Sequence, residues 1–423
     1  MNEIRDLIVG LDFGREYTQI CYYDRRAQEM RSLSLKAGAS QYEAPTALYR
    51  RADAGEFMAG PDTGYFAEQH GGELISDLYE LSGQREGILF DGEKLEPWNL
   101  IAHFLKGMLR FLGVADIQRN IKCLAITTED LTPVRVRNFR AALKEMGFGE
   151  EQCILLDYAE SFYYYAMTLP QKKEILNRSV GWYDFMDNLV LFRRMYVAGS
   201  ATRPVVVKLD RAVKGTLPEN EEDKDDAFCK FIQRTLGNDP FSSIQLTGRG
   251  FDQSWAKQSV KMLCFQKRKV YSGNNLYARG ACCAAKERCE DRALRGFQFL
   301  SKALVNQEVG MEMRIMGSDA CYSLISAGRN WYECHKTLEL LLDGTQELAF
   351  TVSTLGGADK RRVAMPLPGL PERPPKTTRL LLEMEYVSPE ECIITVTDLG
   401  FGELFPSSGK VWRETVRWQE EGR

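Results

Sequence analysis

The sequence predicts an α/β protein whose C-terminal part is an all-β domain. Apolar strands alternate with amphipathic helices over residues 121–167, which is the order of elements in an α/β domain. Two apolar hairpins, at residues 4–24 and 178–197, begin two successive halves of this region. After about residue 310, apolar residues recur at every second position in short segments separated by turns, which is typical of a small β-sandwich.

The elements of the first half have clear boundaries. Pro97 and Gly113 delimit an amphipathic helix, and Thr132 is a predicted N-cap directly before Pro133. The run at residues 121–127 is apolar throughout, as in a strand buried on both faces. The predicted elements are a hairpin at 4–24, a strand at 47–50, a helix at 96–113, a strand at 121–127, a helix at 132–147, a strand at 153–157 and a helix at 159–167.

The second half continues with the same mixture of elements. The acidic run at residues 218–226 predicts a solvated loop, and residues 287–313 predict a helix of about four turns. The other predicted elements are a hairpin at 178–197, a strand at 204–210, a helix at 227–237, a strand at 243–251, a helix at 254–265, a strand at 267–273 and a helix at 275–289.

The C-terminal part consists of predicted strands and turns. The Pro-rich segment at residues 365–376 is interpreted as a strand connection, with a ligand for an SH3-type domain as the weaker alternative. Trp412 and Trp418 are expected to be packing anchors of a last strand rather than a ligand cage. The predicted strands are 337–344, 347–355, 361–367, 378–387 and 391–400.

Composition excludes several classes of partner. The chain has 423 residues with 55 basic and 59 acidic side chains, a net charge of −4, so no global attraction to nucleic acid or anionic membranes is expected. No segment approaches the roughly 18 apolar residues that span a bilayer, and residues 1–10 lack the layout of a secretory signal. We therefore expect a cytoplasmic protein with no nucleic-acid partner and no membrane partner.

The eleven cysteines are expected to be reduced, buried thiols. The vicinal pair Cys282 and Cys283, with Cys289 nearby, is poorly placed for chelation, and the chain contains three histidines. A zinc site is therefore disfavoured. The cysteines that lie in apolar strand-like or helix-like segments include Cys21, Cys123, Cys264 and Cys392.

Several Gly-bearing turns occur in a fixed order along the chain. The first hairpin has the turn Gly10-Leu11-Asp12-Phe13-Gly14. It is followed by the segments APTALYR at 44–50, the strand–helix–strand–helix run at 121–167, the hairpin VGWYDFMDNLVLF at 180–192, the run IQLTGRGFDQSWAKQSVKML at 244–263 and the helix YARGACCAA at 277–285. This order resembles the phosphate-1, connecting, phosphate-2 and adenosine motifs of the actin, sugar-kinase and seventy-kilodalton heat-shock ATPase superfamily.

The resemblance implies a fold and a division into domains. Residues 1–309 resemble the actin-like, ribonuclease H-like, two-lobed ATPase domain, with lobe I at about 1–177 and lobe II at about 178–309. Residues 310–423 resemble the chaperone's substrate-binding β-sandwich, most closely over 363–403, without its helical lid. Nearly the whole chain is covered.

The resemblance also implies a nucleotide site. ATP or ADP with Mg²⁺ is the implied cofactor, with no cofactor as the alternative, and Asp12 and Asp184 are the residues that correspond to water-mediated Mg²⁺ ligands. The residues that correspond to nucleotide-binding positions are Gly10, Asp12, Gly14, Arg15, Asp184, Gly248, Arg249 and Gly250.

The phosphate motifs depart from the family's pattern. Arg15 and Glu16 occupy positions that carry hydroxyl residues in the working ATPases, and Glu16 would repel a phosphate. The second phosphate turn, residues 184–188, contains no glycine to admit a phosphate close to the backbone. Tyr158 stands where the chaperones have a glutamate, and no catalytic lysine is identified. Because phosphoryl transfer depends on these positioning groups, we expect no catalytic residues and a pseudo-ATPase.

Three functions follow from the resemblance. The first is a chaperone-like binding or scaffold protein with a non-hydrolysing nucleotide site, whose partner is a protein or peptide. The alternative is a divergent ATP-binding ATPase of the chaperone type with slow turnover. A sugar kinase is the third and weakest, because no carbohydrate pocket with a catalytic aspartate is identified and a C-terminal sandwich is not accounted for.

Overall fold

The protein has a mixed α/β fold with several sheets, as the sequence predicts. A computed structural model describes residues 6–51, 55–90, 92–169, 175, 177–198, 204–354 and 360–418; the first two residues of the predicted hairpin at 4–24 lie outside them. The chain divides into two compact units, unit 1 (residues 1–297) and unit 2 (residues 298–423). No helix in the described ranges is both long and apolar enough to cross a bilayer.

The helices and strands of unit 1 alternate along the chain. The strands are β1 Leu7–Phe13, β2 Tyr17–Asp24, β3 Glu29–Ser32, β4 Glu43–Pro45, β5 Leu48–Arg50, β6 Phe57–Met58, β7 Glu73–Ile75, β8 Ile88–Phe90, β9 Glu93–Leu95, β10 Ile121–Thr128, β11 Cys153–Asp157, β12 Ser179–Met186, β13 Leu189–Ala198, β14 Val205–Leu209, β15 Val213–Thr216, β16 Phe241–Arg249 and β17 Lys269–Ser272. The helices are α1 Thr63–His70, α2 Leu78–Ser82, α3 Pro97–Leu109, α4 Ile117–Asn120, α5 Pro133–Glu145, α6 Tyr158–Thr168, α7 Glu221–Leu236, α8 Lys257–Leu263 and α9 Leu276–Lys286.

Two sheets of unit 1 share one topology. Sheet A has the order β11-β10-β1-β2-β3, in which β1 is parallel to β10, β10 is parallel to β11, and β1 is antiparallel to β2. Sheet B has the order β17-β16-β12-β13-β14. Its strands run in the same directions: β12 is parallel to β16, β16 is parallel to β17, and β12 is antiparallel to β13. In each sheet, therefore, the first strand of the hairpin has a parallel strand on its other side, and a second parallel strand lies beyond that one.

The two faces of sheet B differ in chemistry. Tyr183, Phe185, Ile244 and Leu246 alternate along β12 and β16 and belong to an apolar cluster that includes Phe228 of α7. The residues between them, which point to the opposite face, are Trp182, Asp184, Gln245 and Thr247. These four side chains are buried as well, so the second face of sheet B is a buried polar surface.

Helix α9 approaches β1 and α6 closely because glycine lies at both contacts. A Cβ atom on Gly10 would lie 2.2 Å from the backbone nitrogen of Cys282, and one on Gly280 would lie 2.1 Å from the carbonyl oxygen of Ser161. Both obstacles are backbone atoms and cannot rotate away. The small residues along α9 therefore set the distance between this helix and its neighbours.

We expect Gly280→Ala to destabilise unit 1 by about 1–3 kcal/mol, because α9 must move away from α6 to admit the methyl group. Thermal unfolding, with the unit identified by limited proteolysis, measures the effect. Gly64→Ala is the matched control: Gly64 also lies in a helix, α1, and its Cβ would meet open space. Equal stability of the two variants would contradict the close contact.

Unit 2 consists largely of antiparallel strands. Sheet C has the order β21-β20-β24-β25, and sheet D has the order β23-β26-β27-β28. Trp418, which follows β28, contacts Phe350 of β24 at 5.8 Å between ring centroids, and Trp412 donates from Nε1 to the carbonyl of Pro368. Both tryptophans are packing anchors, as predicted. From β18, which begins at the last residue of unit 1, the strands are β18 Phe297–Leu300, β19 Leu304–Val305, β20 Gln307–Ile315, β21 Ser318–Ile325, β22 Arg329–Asn330, β23 His335–Leu342, β24 Glu347–Thr354, β25 Lys360–Pro366, β26 Thr378–Tyr386, β27 Glu391–Asp398 and β28 Val411–Arg417.

Two predicted elements are wrong. The acidic run predicted as a loop at 218–226 enters α7 at Glu221, because acidic residues suit the N-terminal turn of a helix and Asp225 accepts hydrogen bonds from the backbone of Gln258 and Ser259. The predicted four-turn helix at 287–313 is instead a π-helical turn, Glu287–Asp291, followed by strands. Arg292, with φ of 49°, ends the helix in the left-handed region.

The expectation that the cysteines are buried is wrong for two of them. Cys264 and Cys321 are exposed, and Cys153 and Cys289 are partly exposed, whereas Cys21, Cys123 and Cys392 are buried as predicted. Cys264 was predicted to be buried because its neighbours are apolar, but it is the C-cap residue of α8. All eleven cysteines are free thiols.

Candidate functional site

Two buried carboxylates occupy corresponding positions in the two hairpins of unit 1. Asp12 lies in β1, beside Thr127 of β10, and is 7% exposed. Asp184 lies in β12, beside Thr247 of β16, and is 9% exposed. Each carboxylate is near the end of the first hairpin strand, where that strand and its parallel neighbour finish. The shared topology of sheets A and B therefore places one acid in each half of the unit.

Two tyrosines connect these acids. The hydroxyl of Tyr158, the first residue of α6, donates to Oδ1 of Asp12 at 3.0 Å. The hydroxyl of Tyr277, in the first turn of α9, donates to Oδ2 of Asp184 at 2.6 Å. The two rings are stacked, with 3.7 Å between centroids and 3° between planes. Asp12, Tyr158, Tyr277 and Asp184 form one continuous set of contacts, which we name the carboxylate–tyrosine cluster.

The helix starts hold both tyrosines in place. Asp157 caps α6 by accepting a hydrogen bond from the backbone nitrogen of Glu160, so α6 begins directly where β11 ends. Tyr277 precedes the small residues of α9 and also contacts Trp182 with 5.9 Å between ring centroids. The stacked rings are therefore fixed by elements that pack on both sheets.

Burial changes the acidity of the whole cluster. Burial raises the pKa of Asp12 to about 8, against the hydrogen bond from Tyr158, and the charges of Asp184 and Glu43 raise it further. Burial likewise raises the pKa of Asp184 to about 6, while the bond from Tyr277 and the charge of Arg193 oppose the shift. The pKa of each tyrosine lies well above its ordinary value, mainly through burial, so both rings donate as neutral phenols. At neutral pH, Asp12 is therefore mostly protonated.

Three polar atoms beside Asp184 have no hydrogen-bond partner within the part of the chain that the structure describes. They are Nε1 of Trp182, Nε2 of Gln245 and Oγ1 of Thr247, all on the polar face of sheet B. The Trp182 ring stacks on Phe162, and Arg193 lies 4.7 Å above it. These groups can hydrogen-bond a small polar molecule or water next to the cluster.

The predicted phosphate-binding arginine is held by carboxylates. The guanidinium of Arg15 forms ion pairs with Glu80 and with Glu129, the latter at 3.4 Å, and lies 4.6 Å above the ring of Tyr79. Its side chain is about half exposed. Arg15 therefore has its charge matched by protein side chains.

The predicted base-stacking arginine is held in a similar way. Arg249, at the end of β16, pairs with Glu16 in the turn between β1 and β2, and its guanidinium lies 3.8 Å above the ring of Tyr17. Glu16, which the sequence suggests would repel a phosphate, is thus the partner of a residue from sheet B. This ion pair joins the two turns that the sequence predicts to face a nucleotide.

The four predicted glycines all lie at close contacts within the protein. A Cβ on Gly14 would lie 2.5 Å from the carbonyl oxygen of Tyr17, whereas Gly10 contacts α9 as described above. Gly248 and Gly250 have φ of 87° and 99°, and a Cβ on either would lie within 2.3 Å of a carbonyl oxygen in the β12–β13 hairpin. These positions require glycine for packing and backbone conformation.

The sequence did not identify Tyr277 as a functional residue. Tyr158 was noted because it replaces a glutamate of the family. Tyr277 lies in a helix of small residues, and nothing in that pattern indicates its contact with Tyr158. Of the bulky residues in the second turn, Phe185 points into the apolar cluster and Met186 is exposed. Among the described residues, no group of three or more His, Cys, Asp or Glu side chains could hold a metal ion.

The fold and site define a mixed α/β protein with a buried acid pair, and sequence comparison places it in a family. Residues 29–302 match the family of unknown function (DUF5716) C-terminal, and the chain belongs to this family. Residues 304–418 match a domain of unknown function (DUF8552). The comparison with curated proteins found no match to the chain.

Proposed function

We propose that this protein is a chaperone-like binding or scaffold protein whose unit 1 is a non-hydrolysing member of the actin-like ATPase superfamily. The repeated topology of sheets A and B supports this fold, because two halves built on one pattern, each with an acid in its hairpin, are what the sequence resemblance implies. The rest of the proposal depends on the side chains at the two acids.

The observation that carries the proposal is the carboxylate–tyrosine cluster. Hydrated Mg²⁺ requires ionised oxygen ligands, and a nucleotide brings several further negative charges. Asp12 and Asp184 each accept a hydrogen bond from a tyrosine, and the stacked rings connect them. Each acid therefore already has a protein donor where a Mg²⁺-bound water would donate, which supports a site without a Mg²⁺–nucleotide complex.

The surrounding charges favour the same interpretation. A nucleotide phosphate would compete with Glu80 and Glu129 for Arg15, and with Glu16 for Arg249. Each exchange would leave a carboxylate facing the phosphate, which is unfavourable. The two predicted cations therefore stabilise the protein itself.

The binding role falls on unit 2, which we propose to be a β-sandwich of sheets C and D. The contact between Phe350 and Trp418 supports this, since one residue belongs to sheet C and the other follows the last strand of sheet D. Strands β21, β25, β23 and β28 lie at the ends of the two sheets. An extended peptide can add to such an edge through backbone hydrogen bonds, which gives the protein or peptide partner a mode of binding.

Isothermal titration calorimetry of the full chain tests both halves of the proposal. We expect no binding heat for ATP–Mg²⁺ or ADP–Mg²⁺ at ligand concentrations up to about 1 mM, where a nucleotide site of ordinary affinity is saturated. Titration with extended apolar peptides is expected to give binding that the nucleotide does not change. Intrinsic tryptophan fluorescence at each addition verifies that the protein stays folded.

Tight nucleotide binding would overturn the proposal if Asp12→Ala abolished it, since that result identifies the predicted site. It would favour the alternative, a divergent ATP-binding ATPase with slow turnover, and ADP release would then establish hydrolysis. Arg362→Met, at an exposed ion pair of unit 2, is the control for a general effect of substitution.

A further inference from the structure

Two thiols meet where β10 passes the turn after α9. Cys123 of β10 is fully buried. Cys289 is partly exposed and packs against the buried cluster that contains Cys123. The residues next to the two cysteines also link β10 to this turn, because Nζ of Lys122 lies 2.8 Å from Oε1 of Glu290. The contact between the strand and the turn is therefore formed by two adjacent pairs of side chains.

Charged side chains of both signs lie next to the more exposed thiol. Lys122 and Arg25 both pair with Glu290, Arg25 at 2.7 Å, and Arg288 precedes Cys289 in the chain. The hydrogen bond from Cys123 lowers the pKa of Cys289, and Lys122 and Arg288 lower it further against burial and the charge of Glu290. In contrast, the hydrogen bond with Cys289 and burial raise the pKa of Cys123. The two thiols thus have different reactivities, since the thiolate is the nucleophile.

Backbone geometry singles out the same position. Cys289 lies in the π-helical turn Glu287–Asp291, which widens the end of α9 before the chain turns at Arg292. Turns of this kind occur frequently at functional sites. The widened turn holds the Cys289 thiol at the surface of the cluster while Cys123 stays beneath it.

We propose that Cys289 and Cys123 form a redox modification site, in which a hydroperoxide oxidises Cys289 and Cys123 then closes a disulfide. This activity is independent of the nucleotide and peptide proposals. Cys289 is the attacking residue because it is the accessible one of the two, and Cys123 is the resolving residue because it belongs to the buried cluster on which Cys289 packs.

The chemistry balances with hydrogen peroxide as the oxidant. The Cys289 thiolate attacks one peroxide oxygen, the O–O bond breaks, and the products are a sulfenic acid and hydroxide, which takes a proton from solvent. The Cys123 sulfur then attacks the Cys289 sulfur, the S–O bond breaks, and the leaving oxygen departs as water with the Cys123 thiol proton. Both cysteines are oxidised by one electron each and the peroxide is reduced to two waters. A thiol reductant reverses the link.

Mass spectrometry of the full-length protein tests the proposal. After brief treatment with dilute hydrogen peroxide and alkylation of the remaining thiols, we expect peptides containing Cys123 and Cys289 to be joined by a disulfide that dithiothreitol removes. The second pair of thiols is an internal control: Cys21 and Cys282 belong to the same cluster but are both fully buried, so they are expected to stay reduced. This measurement needs no variant and does not depend on a substitution being tolerated.

Two variants test the assigned roles. Cys123→Ser is expected to leave Cys289 at the sulfenic acid, which dimedone traps. Lys122→Gln is expected to slow alkylation of Cys289 by iodoacetamide by about threefold at pH 7, because it removes a cation that favours the thiolate. Lys144→Gln, at an exposed position of α5, is the control for charge alone.

The exposed cysteines set the standard for comparison. Cys264 and Cys321 are more accessible than Cys289, so exposure alone would make them oxidise first. The proposal is overturned if Cys289 is oxidised no faster than these two. It is equally overturned if oxidised Cys289 persists while Cys123 in the wild-type chain remains a free thiol.

Discussion

Replacing Asp12 with asparagine is expected to stabilise unit 1 by about 5 kcal/mol at pH 8 and by only about 1.5 kcal/mol at pH 5. The wild-type carboxyl is buried and accepts a hydrogen bond from Tyr158, and burial raises its pKa from 3.8 to about 8. Asparagine resembles the protonated carboxyl in shape, keeps an oxygen that can accept from Tyr158, and cannot ionise. The variant therefore avoids the free energy that the wild-type protein loses because Asp12 ionises in the unfolded chain but must stay protonated in the folded protein.

The direction of the pH dependence follows from proton binding. Between about pH 4 and pH 8 the unfolded chain has released the Asp12 proton while the folded protein still holds it. The unfolded state then binds fewer protons, so the free energy of unfolding falls as the pH rises, by up to about 1.4 kcal/mol for each pH unit. Asp184, whose pKa is about 6, adds a dependence of the same sign over the lower part of this range.

Urea denaturation at pH 5, 6, 7 and 8 measures this effect. Because the protein has two units, the transition of unit 1 is followed by pulsed hydrogen exchange of peptides from β1 and β12. Asp77→Asn is the matched control, since Asp77 is exposed and its side chain does not cap the helix α2 that it precedes. A wild-type stability that does not fall between pH 5 and pH 8 would show that Asp12 ionises as an ordinary carboxyl.

Replacing Arg373 with methionine is expected to destabilise unit 2 by about 3–5 kcal/mol. Arg373 donates to both oxygens of Asp398 at 2.8 Å, and both side chains are almost fully buried. Asp398 also accepts from the backbone of Gly400 and from the backbone and hydroxyl of Ser408. Although burial opposes it, these bonds hold the pKa of Asp398 well below its usual range, so the variant buries an unpaired negative charge.

A double-mutant comparison separates the pair from the rest of the site. Arg373→Met with Asp398→Asn is expected to recover part of the loss, because the buried charge is then removed together with its partner. Arg362→Met is the matched control, since Arg362 pairs with Glu347 at the same distance, 2.8 Å, but at an exposed position where such pairs contribute little. Thermal unfolding of unit 2 measures all three. If the Arg373→Met variant were as stable as the wild-type protein, the stabilising role of the buried Arg373–Asp398 pair would be contradicted.

Local signals in the sequence predict the elements that carry the site. Thr132 and Pro133 mark the start of α5, and the alternation in residues 178–197 predicts the β12–β13 hairpin, because capping and strand periodicity depend on neighbouring residues. The acidic run ahead of residue 227 was mispredicted for the opposite reason. Its helix is stabilised by a contact between Asp225 and the start of α8, which lies more than thirty residues later.

Long-range pairing accounts for what the sequence did not predict. Glu16 and Arg249 are 233 positions apart, and neither residue alone indicates the other. In the same way, Tyr158 was noted only as a departure from a family pattern, since its stacking partner Tyr277 lies on a helix from the far end of unit 1. The acids could be predicted from the turns that hold them. Their partners depend on how the two sheets approach each other.

The stacked tyrosines also give the protein an intrinsic optical signal. Tyr277 contacts both Tyr158 and Trp182, so the indole touches one ring of the pair and is linked to Asp12 through three successive contacts. Excitation of a tyrosine at such short range passes to the tryptophan, and the surroundings of that indole change when the rings separate. Any event that parts sheet A from sheet B therefore alters the contribution of Trp182 to the emission of the six tryptophans, and the difference from a Trp182→Phe variant isolates that contribution without an attached dye.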